Sequence, residues 1–338
     1  RLVSDWSSDV CSSDLGAARI TPLAVLDPAK AIRGVEVSAI AARDRSRAQQ
    51  MAAAHGIAKV HDSYDALIAD PDLTLIYNPL PINLHAEWSI KALKAGKHVL
   101  CEKPFAMNAG EVEAMQAAAK ASGRRIIEAF HHCYHPTFNE ILLFIRGGGI
   151  GDLKKVDCQF CIAIDDKGGK EIRHLPETGG GAVMDLGCYP LSWALAVCGA
   201  EPVAVEASAT LTSRGVDETL NAILRFDTGV EADLTASMAP GRPYEAPLTI
   251  TGSKGTVHLP DAVQVHRAPF IRIQTEYEEW EWPVSPMLTY LHQMSTLVHG
   301  LQTETPLPTE GDFPRQQQRT LDRIYQAAGL GHLRENGA

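Results

Sequence analysis

Between residues 16 and 130 the chain alternates short apolar runs with longer amphipathic stretches. The apolar runs are "VEVSAIAA" (35–42), "LTLIYN" (73–78), "KHVLCEK" (97–103) and "RRIIEAF" (124–130). Each has the length of a strand, and near-continuous apolar character is what strands covered on both faces carry. The stretches between them read as helices. One opens at Asn108, with Glu111 at capping-box spacing. Strands alternating with helices predict a parallel, doubly wound sheet.

After Phe130 the pattern changes. A helix is predicted after Pro136, a strand over 153–164, a glycine-rich turn, and a helix over about 182–198. Runs with strand alternation follow: "VAVEASATL", "TLNAILRFDTG", "VEADLTASM", "LTITGSKGTVHL", "VQVHRA" and "IRIQTEY". They predict a large, open, mainly antiparallel sheet of five or more strands. Two helices, near 287–301 and 313–329, close the chain. The fold class is therefore α/β in two domains, 16–130 and 131–338.

Residues 1–15, "RLVSDWSSDVCSSDL", break the pattern. The first strand of a doubly wound sheet belongs just before Gly16, yet this stretch carries Ser-Ser-Asp twice and little strand propensity. It reads as a non-native leader, similar to a translated adapter or vector junction, and is set outside the fold. The competing reading is a genuine but unusual edge segment in which Val10 and Leu15 make a poor strand.

Composition narrows the function classes. A chain that is 45% hydrophobic and 21% charged is ordinary globular material. Its net charge of −10 disfavours nucleic acid as a partner, which would need a basic face. No uninterrupted apolar run approaches the ~20 residues of a membrane span. Seven scattered cysteines suit a reducing cytoplasm better than a disulfide framework. Cys158 and Cys161 form a CxxC on a predicted strand, where positions three apart face opposite ways, so no metal is expected there.

The candidate chemistry lies at strand ends. Gly16-Ala17-Ala18-Arg19-Ile20 stands where a G-x-G-x-x-G dinucleotide loop would, with one glycine kept; by spacing alone it could equally be an ordinary strand–helix turn. The next strand ends Ala42-Arg43-Asp44. A NAD enzyme places an acidic residue there for the ribose 2′-hydroxyl; Ala42 leaves room, and Arg43 suits a 2′-phosphate or is simply a solvated charge. Glu102-Lys103-Pro104 ends another strand at the edge where open α/β sheets bind ligands. A lysine there can reach both a ribose hydroxyl and a substrate oxygen. In "GGGAVMDLGCYP" (179–190), Asp185 and Tyr189 share a helical face. They make a proton-handling pair, or a capping aspartate beside a core tyrosine. A phenol working near neutrality needs a cation, and Lys103 is the candidate.

The segments "GAARI", "AARD", "YNPLP", "LHAEW", "AGKHVLCEKP", "EAF…YHP" and "GGGAVMDLGCY", in this order, closely resemble the glucose–fructose oxidoreductase/inositol dehydrogenase/MocA family. Within it they look most like the dimeric dihydrodiol and NADP-dependent xylose dehydrogenases. The resemblance implies a Rossmann domain followed by an α/β domain whose open sheet mediates a homodimer. It implies NADP as cofactor, with NAD possible, and a sugar, polyol or diol substrate oxidised at a CH–OH group. It places Lys103, Asp185 and Tyr189 in catalysis, with Tyr189 as acid/base and Lys103 lowering its pKa. Asn78, Pro79, Leu80, His85 and Glu102 would lie along the cofactor with residues 16–20 and Arg43. Arg173, His174 and His131 are weaker candidates for substrate contacts.

One departure matters. Relatives often read E-A-F-x-x-R-Y-x-P, whereas this chain has Cys133 at the arginine position. His131, His132 and His135 suggest zinc, but Pro136 and the strand end argue against regular ligand geometry. Two other functions share the fold: a sugar-responsive dinucleotide-binding regulator without turnover, and a glycosidase using NAD as a transient redox agent. Lys103, Asp185 and Tyr189 together favour the dehydrogenase.

Overall fold

The computed structural model describes residues 10–335. The first domain is a six-stranded parallel sheet of β1 (Val10–Leu15), β2 (Val35–Ala41), β3 (Lys59–Val60), β4 (Leu75–Asn78), β5 (His98–Cys101) and β6 (Ile126–Glu128). Its strand order is β3-β2-β1-β4-β5-β6, so the direction of winding reverses between β1 and β4. Ligands of open α/β sheets bind outside the carboxyl ends at that reversal.

Part of the stretch expected to lie outside the fold lies within it. Residues 1–9 lie outside the described residues, but 10–15 are β1, paired in parallel with β2 on one side and β4 on the other. Backbone groups make that ladder whatever the side chains are, and two ladder-like bonds extend it: Val10 N–H donates to Gly34 O and Gly16 N–H to Ala41 O. Val10 and Leu15 supply the apolar contacts. The cost is visible. Ser12, Ser13 and Asp14 are buried, the register slips between Ser12 and Ser13, and neither serine hydroxyl has a partner.

The second sheet has eight strands: β7 (Leu153–Cys161), β8 (Ala204–Leu211), β9 (Asp217–Arg225), β10 (Glu231–Ser237), β11 (Leu248–Gly252), β12 (Gly255–Leu259), β13 (Phe270–Thr275) and β14 (Glu279–Pro283). The order is β14-β13-β12-β11-β7-β10-β9-β8. Every pair is antiparallel except β7 with β10. "VQVHRA" is not a strand: Val265–Arg267 is a 3₁₀ turn, and Val265 and the preceding Val263 are buried without joining a ladder. The edge strand β14, "EWEWP", was not among the predicted runs.

Asn108 caps the helix Ala109–Ser122, its side chain accepting from Glu111 N–H at 3.0 Å while Glu111 reaches back to Met107 N–H at 2.8 Å. Contacts cross the chain boundary near 130. The closing helices return to the first domain: Asp322 accepts from Ala109 N–H at 2.8 Å, and Glu310 pairs with Arg125. One apolar core runs from Leu75, Tyr77 and Leu100 into Trp193, Leu234 and Leu321. Among the described residues, the helical stretch Pro176–Cys198 is long and apolar enough to cross a membrane, but most of it is buried inside the molecule.

Candidate active site

A cleft of about 710 Å³ lies where the sheet reverses and the second domain faces it. Successive strand-end loops build its floor. Ala18, Arg19 and Ile20 come from the loop after β1; Pro79, Leu80 and His85 follow β4; Glu102 and Lys103 follow β5; His131 follows β6. Arg173, Asp185 and Tyr189 close it from the second domain. All of these had been singled out in the sequence. Gly16, Ala17, Arg43, Asn78 and His174, also singled out, do not line the cleft.

The loop after β1 turns on Gly16, whose φ of +115° is a backbone conformation that side chains rarely adopt. Asp14 then organises the turn, its carboxylate accepting from Ala17 N–H at 3.0 Å and Thr21 Oγ1 at 3.1 Å. Ala17 is thus turned inward, and Arg47 fixes its carbonyl at 2.8 Å. Burial pushes the Asp14 pKa up to about 7, against the lowering effect of those two hydrogen bonds and of Arg47. Arg43 stands exposed beyond buried Ala42, and its backbone N–H donates to Tyr64 Oη at 3.3 Å. Asp44 begins the next helix by accepting from Ser46 N–H.

Two predicted residues prove to be internal fasteners. Asn78 donates to His85 O and Ser89 Oγ. His85 sets Nδ1 against Pro104 O at 3.0 Å and Nε2 against Leu80 O at 2.7 Å, joining the loops after β4 and β5. Burial lowers its pKa to about 4, and a neutral ring carries one N–H, so it donates to one of these two carbonyls only. His174 is similarly occupied, its Nε2 lying 2.7 Å from Ile164 O.

The charged centre spans both domains. Lys103, next to a cis peptide with Pro104, donates to the Asp185 carbonyl at 2.6 Å and to its Oδ1 at 3.1 Å. Arg173 Nε donates to Asp185 Oδ2 at 2.6 Å, and its Nη1 to Glu171 at 2.7 Å. Burial alone would raise the Asp185 pKa, but the charges of Arg173 and Lys103 hold it well below the usual carboxylate range. Burial alone would lower the Lys103 pKa; Asp185, Cys188 and Glu102 together outweigh it and raise the pKa, so the ammonium persists. Arg19 reaches across to Glu171 at 3.6 Å.

Tyr189 departs from expectation. Lys103 Nζ lies over its ring, 5.0 Å from the centroid, and is bonded to Asp185 rather than to the phenol oxygen. Burial pushes the phenol pKa well above its ordinary value, with further increments from nearby Tyr290 and Glu102. The partner of the hydroxyl is His131 Nε2, at 3.1 Å.

Asp185 and Tyr189 sit on a helix that opens with a π turn, Val183–Gly187, and continues as an α-helix, Cys188–Cys198. Single π turns recur at functional sites. Its start is pinned by Asp217 from β9, which accepts from Val183 N–H and from Tyr325 Oη, both at 2.7 Å. A Cβ on Gly181 would collide with that carboxylate, which explains the third glycine of the run. Sequence reading missed Asp217 and Tyr290, whose partners Val183, Tyr325 and His131 lie far away along the chain, and Glu171, whose pairing with Arg173 and Lys167 is local but matches no motif. Cys133, at the arginine position, is buried with its Sγ 3.4 Å from His132 Nε2. No cluster able to hold a metal occurs among the described residues.

Residues 15–130 match the GFO/IDH/MocA oxidoreductase family, NAD-binding Rossmann fold, and residues 138–258 match the GFO/IDH/MocA C-terminal domain. The chain is 33% identical to the NADP(+) D-xylose 1-dehydrogenase 2 of Haloferax volcanii, over 94% of this chain and 97% of that one. It is 35% identical to the trans-1,2-dihydrobenzene-1,2-diol dehydrogenase of Xenopus tropicalis, over 67% of each. A 3-ketoreductase from Actinomadura kijaniata, crystallised with NADP and TDP-benzene, superposes with a TM-score of 0.85 at 27% identity, covering 94% of this chain and 97% of its own.

Proposed function

The chain belongs to the GFO/IDH/MocA oxidoreductases, and from that premise we propose that it is an NADP-preferring dehydrogenase acting on a secondary alcohol or hemiacetal of a sugar, cyclic polyol or diol. One observation carries the reading: Lys103 from the Rossmann domain and Asp185 and Tyr189 from the second domain meet in the cleft that the cofactor loops line. Two of the relatives named above act on D-xylose and on a dihydrobenzenediol; the xylose enzyme uses NADP(+), and the 3-ketoreductase was crystallised with NADP.

The residues present fit a dinucleotide. Gly16 leaves the turn after β1 without a side chain, Ala18 to Ile20 face the cleft, and Arg43 stands exposed at the end of β2 with no acidic side chain before it. A bound nicotinamide supplies the hydride acceptor or donor. Lys103 holds the ribose and orients the substrate oxygen. Tyr189 takes the hydroxyl proton during oxidation and returns it during reduction. Asp185, held ionised by Lys103 and Arg173, fixes both cations at the rim of the cleft.

We assign the protein to the cytoplasm on its seven free cysteines, and a homodimer to the open face of the second sheet. The test of the reading is a panel of aldoses, cyclic polyols and trans-diols followed at the NADPH absorbance, with NAD in parallel. Oxidation with NADPH release in proportion to product is expected. Tight NADPH binding with no turnover across the panel would overturn it in favour of a regulator.

A further inference from the structure

The tyrosine that the proposed function relies on needs a group that orients and tunes its hydroxyl. The expected group, Lys103, is committed elsewhere. Its ammonium donates to two oxygens of Asp185 and meets Tyr189 over the ring rather than at the oxygen. Among the described residues, the hydrogen-bond partner of the phenol oxygen is His131 Nε2, at 3.1 Å.

His131 is placed so that it cannot swing away. It begins the short turn His131–Tyr134, which follows β6 at the junction of the two domains, whereas Tyr189 lies on the helix Cys188–Cys198 of the second. Its ring stacks on Tyr290 with centroids 4.1 Å apart and planes 37° apart. The adjacent Phe130 packs edge-on to Tyr189 at 5.2 Å. His131 is 2% exposed and Tyr189 4%, so each presents little surface apart from the cleft that both line.

The proton inventory decides the direction of the bond. Burial, with the neighbouring charges of His132, Lys103 and His266, holds the His131 ring neutral, so it carries one N–H. Nδ1 is buried without a partner, and a buried N–H left unpaired is the costlier vacancy. The proton therefore belongs on Nε2, where the phenol oxygen receives it. Tyr189 then accepts from His131 and keeps its own O–H free to point into the cleft.

We propose that His131 is the positioning residue for Tyr189: its Nε2–H occupies one lone pair of the phenol oxygen, aims the phenol proton at the substrate, and stabilises the phenolate when that proton has left. A hydrogen bond to the charged form favours that form, so this contact opposes the upward pressure of burial on the phenol. The other groups facing the pair are Lys103, which also favours phenolate, and Glu102, Asp185, Cys188 and Tyr290, which oppose it. The proposal rests on the reading of Tyr189 as the acid/base.

The first measurement needs no ligand. In the full-length protein labelled with ¹⁵N-histidine, the His131 signal is identified by its loss in His131→Gln. A neutral ring protonated on Nε2 between pH 6 and pH 9 is expected; a proton on Nδ1, or a titration near the ordinary histidine value, would overturn the proposal. The second measurement is the pH profile of kcat for oxidation of the fastest substrate in the panel. His131→Phe should lower kcat at pH 7 by about tenfold or more and move the rising limb up by about a pH unit, within the range of general acid–base effects. His131→Gln, whose amide N–H takes the place of Nε2–H, should recover most of the loss. NADPH affinity should be unchanged in both. An unmoved pH limb in a folded His131→Phe would make His131 only a wall of the cleft. If instead Tyr189→Phe retains turnover, it is the tyrosine assignment that fails.

Discussion

Strands β1 and β5 sit in the same sheet and run to the same edge, yet they are built differently. β5 is His98-Val-Leu-Cys101, apolar where it is buried, and the residues with chemistry begin only after it ends, at Glu102 and Lys103. β1 is Val10-Cys-Ser-Ser-Asp-Leu15, with two buried hydroxyls lacking partners and a buried carboxyl at its penultimate residue. Both strands hold their place, because the ladder is made by backbone groups that every residue carries. The difference lies in what each costs. β5 adds apolar burial to its ladder; β1 gives part of that gain back in polar desolvation. Position in a sheet and fitness for that position are separate properties.

The largest test of this contrast concerns the chemistry beyond β5. Tyr189→Phe keeps the ring contacts and removes the hydroxyl. Turnover should fall by about 10²–10⁴-fold, the usual scale of a general acid–base group, while NADPH still binds. Lys103→Met should impair cofactor binding as well. The two losses should be non-additive in the double variant, since both act on one reaction centre. Steady-state rates and NADPH fluorescence titration separate the effects.

The second test concerns Asp14, where β1 differs most from its neighbours. Burial raises its pKa to about 7 in the folded chain, against 3.8 in an exposed one. Between those values the folded state holds a proton that the unfolded state has released. Stability therefore falls as pH rises from about 4 to about 7, by up to about 1.4 kcal/mol per pH unit, and levels above. Asp14→Asn keeps an acceptor for Ala17 or Thr21 and should flatten that part of the urea-denaturation profile. A stability difference between wild type and Asp14→Asn that stays constant over this range would show that Asp14 is ionised in the fold.

A third, smaller effect is expected at Arg43, at the end of β2. If it holds the 2′-phosphate, Arg43→Ala loses a charge-assisted contact worth roughly 1.5–3 kcal/mol. The NADP Michaelis constant should rise about tenfold or more, with NAD little affected. Equal changes for both cofactors would remove Arg43 from that role.

Much of this was readable along the chain. Apolar runs located β2, β4, β5 and β6, the capping pair at Asn108 located its helix, and Lys103, Asp185 and Tyr189 were found by their positions at element ends. β1 was not, because periodicity assumes that a buried strand is apolar and this one is not. "VQVHRA" alternates like a strand, yet its valines bury themselves from a turn. β14 also alternates, but as Glu-Trp-Glu-Trp on an edge, where the polar face suppresses the apolar signal. The bonds that define the site were out of reach for another reason. Lys103 meets Asp185 across 82 positions, and His131 meets Tyr189 across 58. Nothing in local spacing distinguishes these partners from others at similar distance, and only the docking of the two domains selects them.

The smallest predicted effect returns to β1. The Ser12 and Ser13 hydroxyls are buried with no hydrogen-bond partner, a condition that costs about 1–3 kcal/mol per group in mutational series. Alanine removes the hydroxyl, fits the same space, and leaves the ladder to β2 and β4 intact. Part of the gain is lost with the oxygen's packing contacts, so each substitution should stabilise by only about 1 kcal/mol, or roughly 1–2 °C in Tm for a chain of this size. Kinetic constants should not move, because neither serine lines the cleft. The same exchange at a serine whose hydroxyl is bonded, such as Ser89, which receives Asn78 Nδ2, should destabilise instead. Opposite signs at Ser12–Ser13 and Ser89 in calorimetry would establish that β1 is held in the sheet against the preference of its own side chains; a loss of stability at all three would show that the β1 hydroxyls are satisfied in solution.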